Sequence, residues 1–597
     1  MACNRRSIGK NLDLLKRSHV KRGSFLVMTG ALQNSREIAR LLMGVALTGI
    51  WRIASAPLRW PLAALQSQPQ SLIYAPQDIR TADPTIAEDI YAGYFNFTGK
   101  IIKVDGQSPF EIVPPSVEWA RRLHSFGWLR HLRAADTALS RMNARALVED
   151  WLNLSPKFNH PLIWDPEVAA RRLKAWLSQS PLILEGADND FYRRFMRAVS
   201  QHMRFLRRRL AGGLAGLPRL VALLALTEAA LCVDNMAGLQ KAMSRTLMRE
   251  LSRQIQRDGG HLSRNPRVLI ELMLDLLPLR QLYIVRGLSP PDELQTTMDR
   301  ILPMLRMFRH SNGELALFHG TGESGPDTLA TLFAYEDTYG NPIMNADISG
   351  YQRAEAGESV LIMDTGAAPS SLYSSEAHAS ALSFEFSSGA CKIITNCGAA
   401  ERHRADFRAA SRLTAAHSAL VYAGHSSALF LNGALASSLG KRIIDGPRHV
   451  EVITQADPQG FTIRASHDGY RHARILHRRS LTLAPSGQQI IGLDEILPSK
   501  SQLSNLPLSS LRFHLDPATR AQRSNDPTRL QIVLADGNVW EFAIEHENPE
   551  IEESIVFADP SGPRRSLQIA VHTSAPEIRW SLTHLGALAE ETPDQAQ

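Results

Sequence analysis

The sequence predicts a multidomain α and β protein: an incomplete (α/α) toroid of helices followed by a large antiparallel β-sandwich. Three observations carry this expectation. The chain has 597 residues, more than one compact core accommodates. From about Ser116 to Arg309 apolar residues recur with helical period and short breaks. After about Ala330 the period becomes two, and Gly, Pro and Asp turn signals recur. Runs of helices followed by runs of strands imply separate units rather than alternating βαβ units. The expected division is a basic segment over 1–70, the helical toroid over 71–330 and the sandwich over 331–590.

The first segment is set apart by charge. Residues 1–60 hold eleven Lys/Arg and two acids, so the chain's +7 leaves a slightly acidic body of −2. The high pI therefore does not argue for nucleic-acid binding by the folded domains, and no basic stripe interleaved with aromatics is read further on. Leu41–Trp51 is apolar for about the length of a signal-peptide core, but lies far from the start and precedes a poor cleavage site, Ser55-Ala56-Pro57. It is also shorter than the ~20 residues a membrane span needs. A basic amphipathic helix in contact with a membrane surface is the other reading, and Met28 is a possible alternative start.

Asp165-Pro166-Glu167 opens a helix with Val168, Leu173, Trp176 and Leu177 roughly on one face, and Asn265-Pro266 opens another carrying Leu269, Leu272, Met273 and Leu276. Further helices are expected over 117–133, 143–153, 190–211, 217–233, 236–255 and 292–309. Such an array stacks as a solenoid or closes as a toroid, and the lack of a fixed-period repeat favours the toroid. In the second half Leu382, Phe384 and Phe386 alternate with Ser383 and Glu385, and Val450 and Val452 flank Glu451. Turns are marked by Ser387-Ser388-Gly389, Asp457-Pro458-Gln459-Gly460 and Ala535-Asp536-Gly537, the pattern of a sandwich. The cysteines Cys3, Cys232, Cys391 and Cys397 form no C-x-x-C pair and suggest neither a disulfide framework nor a zinc ribbon.

Local motifs sharpen the fold-level expectation. The run from Ala377-His378-Ala379-Ser380 through Ser383-Phe384-Glu385 and Gly389 to Ile393-Ile394-Thr395-Asn396-Cys397-Gly398 resembles the first strands of the heparinase II/III C-terminal domain. Arg408–Ser418 resembles that family's R-S-T-x-A-H-N segment, and Arg257-Asp258-Gly259-Gly260-His261 its D-G segment between toroid helices. The resemblance covers roughly residues 75–590 and is more specific in the β half.

The resemblance implies β-elimination at a uronic acid in an acidic polysaccharide, in a cell-envelope or periplasmic setting. A cation or donor must neutralise the C6 carboxylate before a base can remove the C5 proton, and an acid then protonates the departing O4. His378 is the first catalytic candidate, matching the family's cleft histidine; the competing reading is a strand histidine bonded to a carbonyl. His261, in the Gly259–Asn265 loop, is the second, with Arg264 beside it as a carboxylate clamp; the competing reading is a solvated loop capped by Asn265. Arg412 and His417 are candidate substrate-binding residues, with a local carboxylate pair and a structural strand histidine as their alternatives. Trp119, Trp128, Trp151, Trp164 and Trp176 stack on sugars or pack helices.

The chain departs from the family pattern where chemistry is concentrated. The toroid tyrosine expected about ten residues after the D-G pair falls near Val268, and Tyr283 suits a core position. Ser380 and Asn396 replace better metal ligands beside His417, so no bound zinc and no cofactor is expected. No P-loop, no G-x-G-x-x-G after a strand, no G-x-S-x-G and no H-E-x-x-H is read in the sequence. The first functional expectation is a lyase acting on an acidic polysaccharide. A non-catalytic glycan-binding or envelope-assembly protein that keeps the fold and a glycoside hydrolase on a similar toroid are the alternatives.

Overall fold

The computed structural model describes residues 71–154, 161–322, 326–335, 340–401, 404–498, 506–559 and 562–587, with positions 39 and 43 besides. The basic segment and its Leu41–Trp51 run otherwise lie outside the described residues. Among the described residues no helix is long and apolar enough to cross a membrane.

Among the described residues, eight longer helices build the first unit: α1 (Val117–Ser125), α2 (Ala138–Leu154), α3 (Pro166–Ser178), α4 (Asn189–Ala211), α5 (Leu217–Cys232), α6 (Ala237–Gln254), α7 (Pro266–Val285) and α8 (Asp292–Met307). They alternate between two rows of an incomplete toroid. In the inner row α1 packs on α3, α3 on α5 and α5 on α7; outer helices α4, α6 and α8 pack against inner partners. Sequence sets the row. In α5 every residue from Leu220 to Cys232 is buried, as expected of a helix apolar on all sides. In α4 the buried residues Phe191, Phe195, Val199, His202 and Leu206 keep to one face.

Helix starts follow the sequence signals. Ser116, Asp165 and Asn265 cap α1, α3 and α7, each side-chain oxygen accepting a backbone N–H one or two residues inside the helix. Pro166 and Pro266 open α3 and α7, where a missing N–H costs nothing. The helix expected over 117–133 is instead two, because Phe126 takes a left-handed φ of 58° and a second helix runs Leu129–Ala135. Its ring is buried between Phe110, Trp128, Trp151 and Trp176, and that packing offsets the backbone strain.

The second unit is an antiparallel sandwich. One sheet has eight strands, from Val450–Asp457 at one edge to Arg520–Arg523 at the other; its partner has nine, from Asn345–Ala346 to Glu550–Val556. Alternation puts Phe384, Phe386, Phe513, Trp540, Phe542 and Trp580 into one core between the sheets. The boundary expected at 330 falls inside a helix, Pro326–Tyr335. Cys232, Cys391 and Cys397 are free thiols.

The two units are stitched together at the rim that carries the inner-helix N-termini. Asp258 accepts from Ser349 N and Ser349 Oγ, both at 2.7 Å. Gly260 is needed there, since a Cβ would stand 1.8 Å from Ser349 Oγ. Neighbouring Gly259 has φ 87°, and a Cβ on it would meet the Arg300 carbonyl at 1.9 Å. Gly216, just before α5, faces Leu372 of the sandwich unit. Arg353 donates to the Met307 and Arg309 carbonyls, each at 2.7 Å.

Candidate functional site

The residues singled out in the sequence converge at this junction. Arg264 ends the glycine loop in a left-handed conformation, φ 58°, which turns its side chain into the sandwich. There it donates to Asp364 Oδ1 (2.5 Å), to the carbonyls of Ser349 and Gly350 (2.7 Å each) and to Ala367 O (3.2 Å). Its guanidinium also stacks 4.7 Å from the Tyr351 ring. Asp364 Oδ2 accepts from Ser380 Oγ at 2.6 Å and lies 3.5 Å from His319 Nε2. His319 Nδ1 in turn accepts the His378 backbone N–H at 3.2 Å. One chain of polar contacts thus runs from the toroid loop through Asp364 and His319 to His378.

Electrostatics follow from enclosure. Burial pushes the Asp364 carboxyl up, but Arg264, His319 and Ser380 outweigh it, so its pKa falls below the ordinary value. Burial alone lowers His261 to about 3. His319 falls to about 3, by burial first and the Arg264 charge second. His417 falls to about 4 through burial, and burial, with His417, Arg412 and His319 beside it, lowers His378 well below the usual histidine value.

Hydrogen bonds fix the tautomers. His417 Nδ1 lies 2.8 Å from the Leu413 carbonyl, which can only accept, so Nδ1 carries the proton. His417 Nε2 then accepts from His378 Nδ1 at 3.1 Å. This leaves the lone pair on His378 Nε2, which has no hydrogen-bond partner among the described residues. The arrangement orients a neutral imidazole, as a general base requires, but His378 is only 3% exposed.

The other sequence candidates have different work, and three expectations are revised. His261 is 1% exposed. Its Nδ1 accepts from Ser263 N at 3.0 Å, and its Nε2 faces Gln254 Oε1 at 2.9 Å, so neither nitrogen is left for proton transfer. The solvated-loop alternative fails as well, since the loop is buried. Arg264 is not an open clamp, because its N–H groups already meet Asp364 and three carbonyls. Arg412 donates to the carbonyls of Ala377 (2.7 Å), Lys441 (2.6 Å) and Ser374 (2.9 Å) and stacks 4.5 Å from Phe430. Burial lowers it to about 9. It binds no local carboxylate among the described residues; it ties loops together.

Val268, where the resemblance places a tyrosine, sits in the first turn of α7. Tyr283 is a core residue whose hydroxyl bonds Ser244 Oγ. Sequence reasoning missed Asp364, His319 and Tyr373. Tyr373 lies edge-on to His261, ring centroids 5.9 Å apart, and its buried hydroxyl has no partner among the described residues. Trp119, Trp128, Trp151 and Trp176 are buried helix-packing residues, while Trp164 is only half-buried.

The positions that the resemblance marks for a metal do not fit one. Ser380 Oγ is bonded to Asp364, and both nitrogens of His417 are engaged. Asn396 donates from Nδ2 to Glu385 (2.9 Å) and accepts from Ser418 N at 3.0 Å. Hydroxyl and amide donors are also poor zinc ligands. Among the described residues one other group, Glu550, Glu552 and His572, has donor atoms within 4.8 Å of one another. Glu552 there is already held by Arg512 and Gln568.

Comparisons with known proteins agree with this architecture. A family model described as "Heparinase II/III-like, C-terminal" matches residues 339–581. FtsZ-localized protein C of Caulobacter vibrioides is 30% identical over 563 residues, covering 89% of this chain and 92% of its own. The crystal structure of heparinase III superposes with a TM-score of 0.68 at 14% identity, covering 92% of each chain. Heparan sulfate lyase HepC from Pedobacter heparinus gives 0.56 at 12% identity, covering 92% of this chain and 89% of its own. At these identities the solved structures speak to fold alone. The relative's extent, the C-terminal match and the toroid-plus-sandwich architecture together place the chain in the heparinase II/III-like family.

Proposed function

We propose that this chain keeps the lyase fold as a non-catalytic, envelope-associated glycan-binding protein. The observation that carries the reading is the enclosure of the junction. Elimination needs a cation on the C6 carboxylate, because the C5 proton is otherwise too weakly acidic to remove. Arg264 and Arg412, the two expected cations, donate to protein acceptors instead. The toroid tyrosine is replaced near Val268, and His261 has both nitrogens engaged. The name of FtsZ-localized protein C supports a place of work alongside FtsZ. Two measurements test the reading. Incubation with a panel of uronic-acid polysaccharides is expected to give no unsaturated product in the ultraviolet, and a fluorescent fusion is expected to coincide with FtsZ. Product formation, or a fusion spread evenly through the cell, contradicts it.

Two observations favour active elimination as a second reading. The His417–His378 pair leaves a lone pair on His378 Nε2, and Tyr373 keeps a buried hydroxyl without a partner among the described residues. A lyase on this plan would take its tyrosine from the sandwich side. It predicts unsaturated product that Tyr373→Phe and His378→Ala each lower ~10²-fold, the usual scale for an acid–base residue.

A further inference from the structure

The outer helix α4 carries seven arginines and one aspartate, in a body that is slightly acidic overall. Its exposed face was not recognised as a site in the sequence. Arg193, Arg197, Gln201, Arg204 and Arg208 recur every three or four residues, so they share one stripe. At ~1.5 Å per residue the stripe is about 22 Å long. These four arginines are exposed, and no carboxylate pairs with them among the described residues. Arg194, one step round the helix, is by contrast bonded to Glu149 and Asp190. A row of like charges without counter-charges disfavours the folded state and favours a bound anion.

The stripe ends in a groove. Gln201, Arg204, Phe205 and Arg208, at i, i+3, i+4 and i+7, form one wall, and Trp164 from the loop before α3 forms the other. Its volume is about 440 Å³. Trp164 is held by its neighbours: its ring packs against Phe205 and His202, with centroids 5.2 and 5.1 Å away, and the buried Arg172 guanidinium lies at 5.5 Å. The groove therefore presents a rigid aromatic surface, two guanidinium forks and an amide.

We propose that this groove and stripe bind an acidic saccharide chain. The apolar face of a sugar ring stacks on Trp164, Gln201 meets hydroxyls, and Arg204 and Arg208 take carboxylate or sulfate groups in bidentate geometry. Arg197 and Arg193 continue the track for the following residues. An anionic membrane fits less well, because Trp164 and Phe205 line a recess rather than projecting into lipid. A nucleic acid would need a succession of aromatic platforms, and here there is one ring pair. The inference deepens the glycan-binding reading by naming a site and ligand class; no residue of the His378 junction takes part.

Calorimetric titration of the full-length protein tests it. The probes are heparan sulfate oligosaccharides, neutral dextran oligosaccharides of equal length, single-stranded DNA and phosphatidylglycerol vesicles. The acidic saccharide is expected to bind at least ~10-fold more tightly than the neutral one. Arg204→Gln with Arg208→Gln, and separately Trp164→Phe and Trp164→Ala, are then compared. The arginine pair and Trp164→Ala should each weaken binding ~10-fold or more, with Trp164→Phe retaining much of it. The arginine variant removes only exposed like charges, so its unfolding midpoint should equal or slightly exceed that of wild type and an affinity loss cannot be blamed on misfolding. Equal affinity for dextran, unchanged affinity in either loss variant, or DNA or vesicles bound as tightly as saccharide would overturn the site. Ultraviolet product would refute the non-catalytic reading while leaving this site standing.

Discussion

The junction around His378 and the outer face of α4 are opposites in the use of charge. At the junction Arg264 is buried against Asp364 and three carbonyls, and Arg412 against three carbonyls. On α4, Arg193, Arg197, Arg204 and Arg208 stand exposed without carboxylates among the described residues. Sequence alone puts the chemistry in the first place. The difference teaches that an arginine's motif context says less about ligand binding than whether its donors are already satisfied.

The largest expected effect comes from breaking the junction. Asp364→Ala leaves the Arg264 guanidinium buried without its counter-charge and should cost ~3–5 kcal/mol. Urea unfolding of both proteins measures this, and a loss under ~1 kcal/mol would mean the ion pair does not hold the two units together.

Acid should act on the same place, and also on buried histidines elsewhere such as His310 and His514, which burial lowers to about 4 and about 3. His261, His319 and His417 are held neutral at about 3, 3 and 4, against 6.5 when unfolded. The unfolded chain binds their protons first, so the stabilisation is complete above pH 6.5 and declines as pH falls toward 4. Asp364, also depressed, adds its loss below its ordinary value of 3.8. Urea midpoints should therefore be level between pH 7 and 8 and drop at pH 5; a level profile to pH 5 would contradict the assigned neutral histidines.

A smaller loss is expected from His378→Ala, which leaves His417 Nε2 without its donor, at ~1–3 kcal/mol. Thermal melting followed by circular dichroism checks it. The smallest effect belongs to the outer helix: Arg204→Gln should change stability by less than ~0.5 kcal/mol, since it breaks no bond within the described residues. A larger loss would make α4's arginines structural too and erase the contrast.

Much of this was legible in the sequence. The capping residues Asp165 and Asn265, each followed by proline, place the starts of α3 and α7 to the residue. The alternation through Leu382–Phe386 places the sandwich core. The resemblance implies that the His261–Arg264 loop and His378 open into one cleft; polar contacts connect the loop to His378 through Asp364 and His319, but His261 and His378 are buried rather than open. Their enclosure was not legible. Asp364 ends an apolar strand, Ser359–Asp364, and nothing local marks it as the partner of an arginine 100 residues earlier. His319 is a lone histidine in a loop, held at φ 49°, with no pattern around it. The α4 stripe has a visible helical period, and Phe195 and Phe205 lie among its arginines, but the tryptophan of the groove comes from a loop before α3, so the linear sequence does not bring it to them.

The central question is whether the enclosed junction performs elimination. The most direct measurement is ultraviolet absorbance of wild-type protein at stoichiometric concentration with uronic-acid polysaccharides, over hours, beside His378→Ala. A flat trace is expected for both, with both folded by circular dichroism. A rising trace from wild type that His378→Ala abolishes while still folded would contradict it, and would return His378 to the catalytic role first read in the sequence.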